Sequence, residues 1–454
     1  MSAEPAAGAE GTDVALAVRS ARPLRLLVVT YYFPPSGGAG VQRPTKWVRY
    51  LPAAGVEPSV LTVRAGAYPA LDDSLARDVP PGTVVVRTPA PDPFGLYGRL
   101  TGRSRGEAVA ARTGTVGQSA SAPERTARWV RANVFVPDAR VGWVPFAVRA
   151  ARRMHAAHPF DAVLTTGPPH SAHLVGRALA RRTGLPWIAD LRDPWTDIHY
   201  TDALARSAAA ARLDARLEAS VLREATALIT VTAPLRDAFE ARAGRAVALV
   251  RNGFDPADFE APAPALGAPW PFEALYAGTL YDVPHGLVGA LARLRRDGLD
   301  IPLRIVGAVP EALAREAARL GVGDLVQAEP PLPHDAAVAA MRAAGVLVLT
   351  VEPWSYAAGV VPGKTYEYLA SGRPTLALVP ADGDAAAVLR DARGGTVCAP
   401  GDADAIAAVL REHAAAWTAR APLGGAPAEG LASYARPAQA TAVAEIVRAA
   451  VARR

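Results

Sequence analysis

Short apolar runs alternate with helical patterns along this chain, and the alternation starts afresh after a proline- and alanine-rich stretch at 256–271. No other feature constrains the fold as much. A run such as Leu24-Arg-Leu-Leu-Val-Val-Thr30 offers almost no polar side to solvent, so it reads as a strand buried on both faces of a parallel sheet. Helical spacing then predicts a helix at about Val41–Ala54, followed by a strand at Ser59–Val63. The pattern resumes with helices near Val144–Ala157, Ser171–Thr183 and Ala203–Glu224, and strands at Asp161–Thr165, Trp187–Asp190, Ala227–Val231 and Val247–Val250. Asn252-Gly253 marks a tight turn. Beyond the proline-rich stretch, strands are expected at Ala274–Ala277, Leu303–Val306, Leu325–Ala328, Val346–Thr350 and Thr375–Val379, with helices between them. A last helix, about Ala438–Val451, has no strand after it. At 454 residues the chain exceeds one ordinary core. The expected fold class is therefore α/β: two open parallel-sheet domains facing across a cleft, with ligands beyond the carboxyl ends of the strands.

The divisions follow. Residues 1–22 read as a disordered tail without the basic start and apolar block of a secretory signal, 23–255 as the first domain, 256–272 as a linker and 273–425 as the second domain. Residues 95–130 are an insertion in the first domain, read as a loop over 95–127. It carries Arg103, Arg105, Arg112, Arg125 and Arg128 against Glu107 and Glu124 only. The net charge is +6, but no aromatic-interleaved basic stripe accompanies it, so nucleic acid is not an expected partner. An anionic lipid surface or an anionic acceptor suits the insertion better, and a solvated arginine-rich loop is the plain alternative. The one cysteine, Cys398, fits a reducing compartment, and no run of eighteen apolar residues predicts a membrane span. The expected location is cytoplasmic, and the lipid reading of the insertion would add peripheral contact at the inner face of the membrane.

Val361-Pro-Gly-Lys-Thr-Tyr-Glu-Tyr-Leu-Ala-Ser-Gly-Arg-Pro374 is the stretch richest in chemistry. It places Lys364 and Glu367 at a helix start just after an apolar strand. Free N–H groups and a cation there suit phosphate, and a carboxylate one turn on can accept two hydroxyl hydrogen bonds, as a ribose diol offers. A surface Lys–Glu pair is the plain alternative. Gly37, Gly38 and Gly40 follow the first strand and permit close approach to phosphate or sugar, but the loop is not GxGxxG, which argues against a nicotinamide cofactor. His170 and His173 lie three apart at a strand end without a local third metal ligand. His170 is expected to meet substrate, against helix capping by the same segment. Asp190-Leu-Arg-Asp193 admits two readings: a structural cluster in which Arg192 pairs internally with a carboxylate, or one of Asp190, Arg192 and Asp193 touching substrate. Asp382-Gly-Asp384 and Asp402-Ala-Asp404 fit a metal-holding DxD pattern, but both precede helical patterns and read as caps.

Taken in order, these segments resemble the family 4 glycosyltransferases of the GT-B fold. Val29–Arg43 is similar to the family's first strand and glycine loop. Gly167–His173 and Trp187–Trp195 resemble a bacterial subgroup, and Arg251-Asn-Gly-Phe-Asp255 resembles the end of the family's first domain. Tyr276–Tyr281 and Val361–Pro374 are similar to its donor-domain motifs. The resemblance implies Rossmann-like domains and a nucleotide-sugar donor held mainly by the second, with 426–454 crossing back to the first. It implies donor contacts from Gly38, Gly40, Arg43, Gly278, Thr279, Val361, Lys364 and Glu367. Lys364, His170 and Asp193 are the groups expected at the reacting centre, with His170, Arg192 and Asp193 on the acceptor side. Retention at the anomeric carbon is implied, with no metal and no cofactor beyond the nucleotide sugar. The acceptor would be a glycan, a lipid-linked glycan or a small natural product. Two departures stand out. Gly359 occupies a position where members often carry a second glutamate, and Thr279 and His285 replace an arginine and lysine that hold the diphosphate. A GT-B epimerase, or a degenerate protein that binds donor or a partner transferase, are the alternatives.

Overall fold

The computed structural model describes residues 22–66, 68, 71–91, 122–196, 206–260, 271–351 and 357–453. In the first domain the elements are β1 (Leu24–Val29), α1 (Ala39–Tyr50), β2 (Val56–Val63), β3 (Val85–Thr88), α2 (Ala122–Asn133), α3 (Val144–Ala157), β4 (Ala162–Gly167), α4 (Ser171–Thr183), β5 (Trp187–Leu191), α5 (Ala208–Glu224), β6 (Ala227–Thr230), α6 (Ala233–Ala243) and β7 (Ala248–Leu249). The second contains β8 (Ala274–Ala277), α7 (His285–Arg296), β9 (Leu303–Val306), α8 (Glu311–Arg319), β10 (Val326–Glu329), α9 (His334–Ala343), β11 (Val346–Thr350), α10 (Lys364–Ala370), β12 (Thr375–Leu378), α11 (Asp384–Ala392), β13 (Gly395–Cys398) and α12 (Ala403–Thr418), and the chain ends in α13 (Arg436–Ala452).

Both sheets are wholly parallel. The first runs β3-β2-β1-β4-β5-β6-β7 and the second β10-β9-β8-β11-β12-β13. Alternation along β1 shows why its run is apolar throughout. Leu27 and Val29 pack with Trp143, Ala147 and Val175 from α3 and its approach and from α4. Leu26 and Val28 face the other way, onto Trp47 of α1 and onto Ala440, Val443, Ala444 and Val447 of α13. Successive side chains of a strand point to opposite faces, and helices cover both. The same α13 residues recur at helical spacing, so this last helix completes the core of the first domain rather than the second.

The chain passes between the domains twice, and the two passes are tied together. Phe254 N donates to the Tyr434 carbonyl at 3.1 Å and Arg436 N to the Phe254 carbonyl at 2.9 Å. Gly253 makes this possible: a Cβ there would lie 1.8 Å from the Tyr434 carbonyl oxygen. The start of the expected linker is ordered, with a short helical turn at Pro256–Phe259, while 261–270 lie outside the described residues. The insertion differs from its expected loop. Its end is α2, a helix from Ala122 to Asn133, and 92–121 lie outside the described residues. Strands β3 and β13 and helix α6 are further elements that the apolar runs did not announce. β3 and β13 are edge strands of four residues, each half-buried for most of its length. Among the described residues no helix is long and apolar enough to cross a membrane.

Candidate functional site

Residues that follow the carboxyl ends of the two sheets meet, Gln42 with Glu367 and Arg251 with Asp384. On the first-domain side, β1 ends in the loop that leads to Gly38, which caps α1 with φ 98°, a conformation suited to glycine. Gly40 lies in the first turn, and its carbonyl accepts from Arg192 Nη1 at 2.9 Å. Arg192 also donates to the carbonyls of Gly167 (2.9 Å) and Pro168 (3.1 Å). It therefore fastens together the loops that follow β1, β4 and β5. This differs from the reading in which Arg192 pairs with a carboxylate. Asp190 pairs instead with Arg43, through Nη2–Oδ1 at 2.8 Å and Nε–Oδ2 at 3.1 Å.

That pairing corrects the placing of Arg43 as a donor contact. Its side chain is 1% exposed and lies over the Trp47 ring at 4.3 Å. It also reaches the Arg251 carbonyl at 3.0 Å, while Asp190 accepts a second bond from Thr166 Oγ1 at 2.6 Å. Arg43 is thus a buried brace between α1, β5 and the end of the first domain, with no face for a phosphate.

His170 is corrected in the same way. It is 5% exposed and stacks on Trp195 at 4.6 Å. Burial first, and the neighbouring His173 second, push its pKa down to about 3, so the ring is neutral near pH 7. His173 is also buried, with Nδ1 2.8 Å from Thr165 Oγ1, and burial pushes its pKa to about 3. Nor does this segment cap α4 with its own side chains. Asp138 does so, accepting from Ser171 N at 2.8 Å and Ser171 Oγ at 2.9 Å. Asp193 is half-buried and acts electrostatically on Arg192.

On the second-domain side, α10 spans only seven residues, so its dipole is short and Lys364 supplies most of the positive charge. The Lys364 ammonium sits over the ring of Tyr276 in β8, 3.9 Å from the centroid. Gly278 leaves it room, since a Cβ there would lie 2.7 Å from Nζ. Thr279 is exposed, and its carbonyl accepts from Tyr276 Oη at 2.9 Å. Val361 is half-buried on the approach to α10, and Gly359 is buried at the end of a short turn. His285 is exposed at the start of α7, with Nδ1 3.2 Å from Glu316.

Glu367 faces the first domain. Gln42 Nε2, one turn into α1, donates to Glu367 Oε1 at 3.3 Å. Behind it lies Arg436 of α13, whose pKa burial and Arg43 push down to about 10 against the pull of Glu367. A second contact crosses between the domains where Arg251 Nη1 donates to Asp384 Oδ2 at 2.9 Å. Asp384 is thereby an interdomain partner rather than the cap expected of it, whereas Asp402 does cap α12, accepting from Ala405 N at 3.0 Å. Gln42, Arg436 and the role of Arg251 were missed. Gln42 and Arg251 stood inside noted motifs, but their partners are remote in sequence.

Known proteins agree with this architecture. Residues 37–253 match the family described as "Glycosyl transferase 4-like domain" and residues 271–415 that described as "Glycosyl transferases group 1". A D-inositol 3-phosphate glycosyltransferase of Streptomyces scabiei is 32% identical over 308 residues, 61% of this chain. The match spans 66% of that relative's length, just under two thirds. In fold, the chain is similar to a sucrose-phosphate synthase from Thermosynechococcus elongatus, at 16% identity and a TM-score of 0.58, over 95% of this chain and 100% of that one. It is also similar to Anabaena HepE, solved in complex with UDP and glucose, at 15% identity and a TM-score of 0.52, over 95% and 98% of the two chains. With its first domain matching one half of this architecture and its second domain the other, the chain belongs to the family 4 glycosyltransferases of the GT-B fold.

Proposed function

We propose that the protein transfers a sugar from a nucleoside diphosphate sugar to an acceptor hydroxyl, with retention at the anomeric carbon and without a metal. The observation that carries this reading is the placing of Lys364 and Glu367 on one helix at the carboxyl edge of the second sheet, with Glu367 in contact with the helix that follows the first domain's glycine loop. Glu367 would accept the ribose hydroxyls, and Lys364, beside the bare backbone of Gly278, would face the diphosphate. In the transfer, the bond from C1 to the diphosphate oxygen breaks and the bond from C1 to the acceptor oxygen forms on the same face. The acceptor's proton passes to the departing phosphate oxygen. The demand on the protein is then to stabilise growing negative charge, which Lys364 is placed to do. The HepE relative's bound UDP and glucose support a donor of this class.

On the acceptor side, Asp193 is half-buried whereas His170 is enclosed, so Asp193 is the better acceptor contact. The first domain also exposes Trp129, Val134, Phe146 and Leu213, with Arg149, Arg152 and Arg212 exposed on the same helices or nearby. Aromatic, aliphatic and arginine side chains together support contact with an anionic lipid surface. The stretch carrying Arg103, Arg105 and Arg112 lies outside the described residues. Deleting 96–127 should weaken flotation with phosphatidylglycerol vesicles, and unchanged flotation would refute the lipid part of this reading.

The donor site is tested by replacing Glu367 with alanine and titrating UDP, GDP and ADP with and without EDTA. A loss of about tenfold or more in the affinity of whichever nucleotide binds, indifferent to EDTA, is expected. Unchanged affinity would sink the assignment of Glu367, and affinity abolished by EDTA would sink the metal-free part.

A further inference from the structure

Gln42 stands on a helix that the first domain holds in place. Arg43, the next residue, is held between Asp190 and the face of Trp47. Lys46, one turn along, is enclosed between Asp78 and Asp255 at 2.6 Å each. With those positions fixed inside the first domain, Gln42 stands on the side of α1 that meets α10. The partners are 325 positions apart in sequence, and both side chains are half-buried. Their bond uses Glu367 Oε1. A carboxylate offers about four acceptor sites on its two oxygens, so Oε2 stays available for a diol.

We propose that Gln42 is a positioning residue for the donor: it orients the Glu367 carboxylate from the opposite domain, so that a ribose meets a carboxylate fixed only when the two domains are together. The inference rests on the donor-site reading above and adds a residue of the first domain to it. Gln42 acts through Glu367. Its removal therefore weakens donor binding only while Glu367 is present, which a general role in stability does not predict.

The test is a double-mutant cycle read by calorimetric titration of UDP, GDP and ADP, following whichever binds the wild type. Gln42→Ala should raise Kd about three- to tenfold. Gln42→Glu should raise it further, because two carboxylates then oppose each other. In a Glu367→Ala background neither substitution should change Kd again. An unchanged Kd in Gln42→Ala, or an equal loss in both backgrounds, overturns the positioning role while leaving the donor site standing. Failure of the wild type to bind any of the three, or a Kd indifferent to Glu367→Ala, overturns the donor-site reading and this inference with it.

Discussion

Replacing Asp190 with alanine should cost the first domain about 3–5 kcal/mol, because it strips a buried charge of its partner. The Arg43 and Asp190 side chains are 1% and 0% exposed. Without the carboxylate, the guanidinium keeps the Arg251 carbonyl at 3.0 Å and a longer contact to Asn252 Oδ1 at 3.4 Å. Thr166 Oγ1 loses its acceptor too, which adds about 1 kcal/mol. The net loss is large beside a domain stability of about 5–15 kcal/mol. Urea unfolding followed by tryptophan fluorescence suits the measurement, since Trp47, Trp143, Trp187 and Trp195 are all buried in the first domain. The midpoint should fall by about 1 M or more. Replacing both partners, Arg43→Met with Asp190→Leu, should recover most of the loss, because neither partner is then left as an unpaired charge. A single substitution that costs less than about 1 kcal/mol, or a double variant no more stable than the single, would refute the reasoning.

Acid should destabilise the first domain early. His170 and His173 are held near pKa 3 by burial, so the unfolded chain takes up protons below about pH 6.5 that the folded one does not. Their contribution is present above pH 6.5 and is lost as pH falls, by roughly 2 kcal/mol for each ring at pH 5. Melting temperatures between pH 7.5 and 5 check this, and an acid dependence unchanged in His173→Phe would contradict it. His334 has the opposite sign. Its hydrogen bond to Asp258 at 3.0 Å raises its pKa above 6.5, so that contact stabilises below pH 6.5 and fades as pH rises through the folded value. Gly253→Ala forces a Cβ against the Tyr434 carbonyl and should lower the melting temperature by at least about 2–4 °C through overpacking. A variant that melts with the wild type would show that the two interdomain passes need no close approach.

Much of the fold was legible because apolar periodicity is local. Strands β8, β9 and β11 and helices α3 and α4 lie where their own residues place them, since a buried strand or an amphipathic helix needs no information from elsewhere. The restart after the proline-rich stretch likewise marked two sheets. The elements that escaped notice, such as the short edge strands β3 and β13, draw their definition from one neighbouring strand. In the candidate site, the sequence by itself placed Lys364, Glu367 and the glycine loop at strand ends. It could not decide which charge of Asp190-Leu-Arg-Asp193 would be buried, because the partner of Asp190 is 147 positions away. The tertiary structure made that choice: it enclosed Arg43, turned Arg192 onto three carbonyls and closed His170 against Trp195. It also brought Gln42 to Glu367, a contact between two separately folded sheets. Residue types and spacing settle what a side chain can bond to. Desolvation and distance, which exist only after the chain has packed, settle what it does bond to.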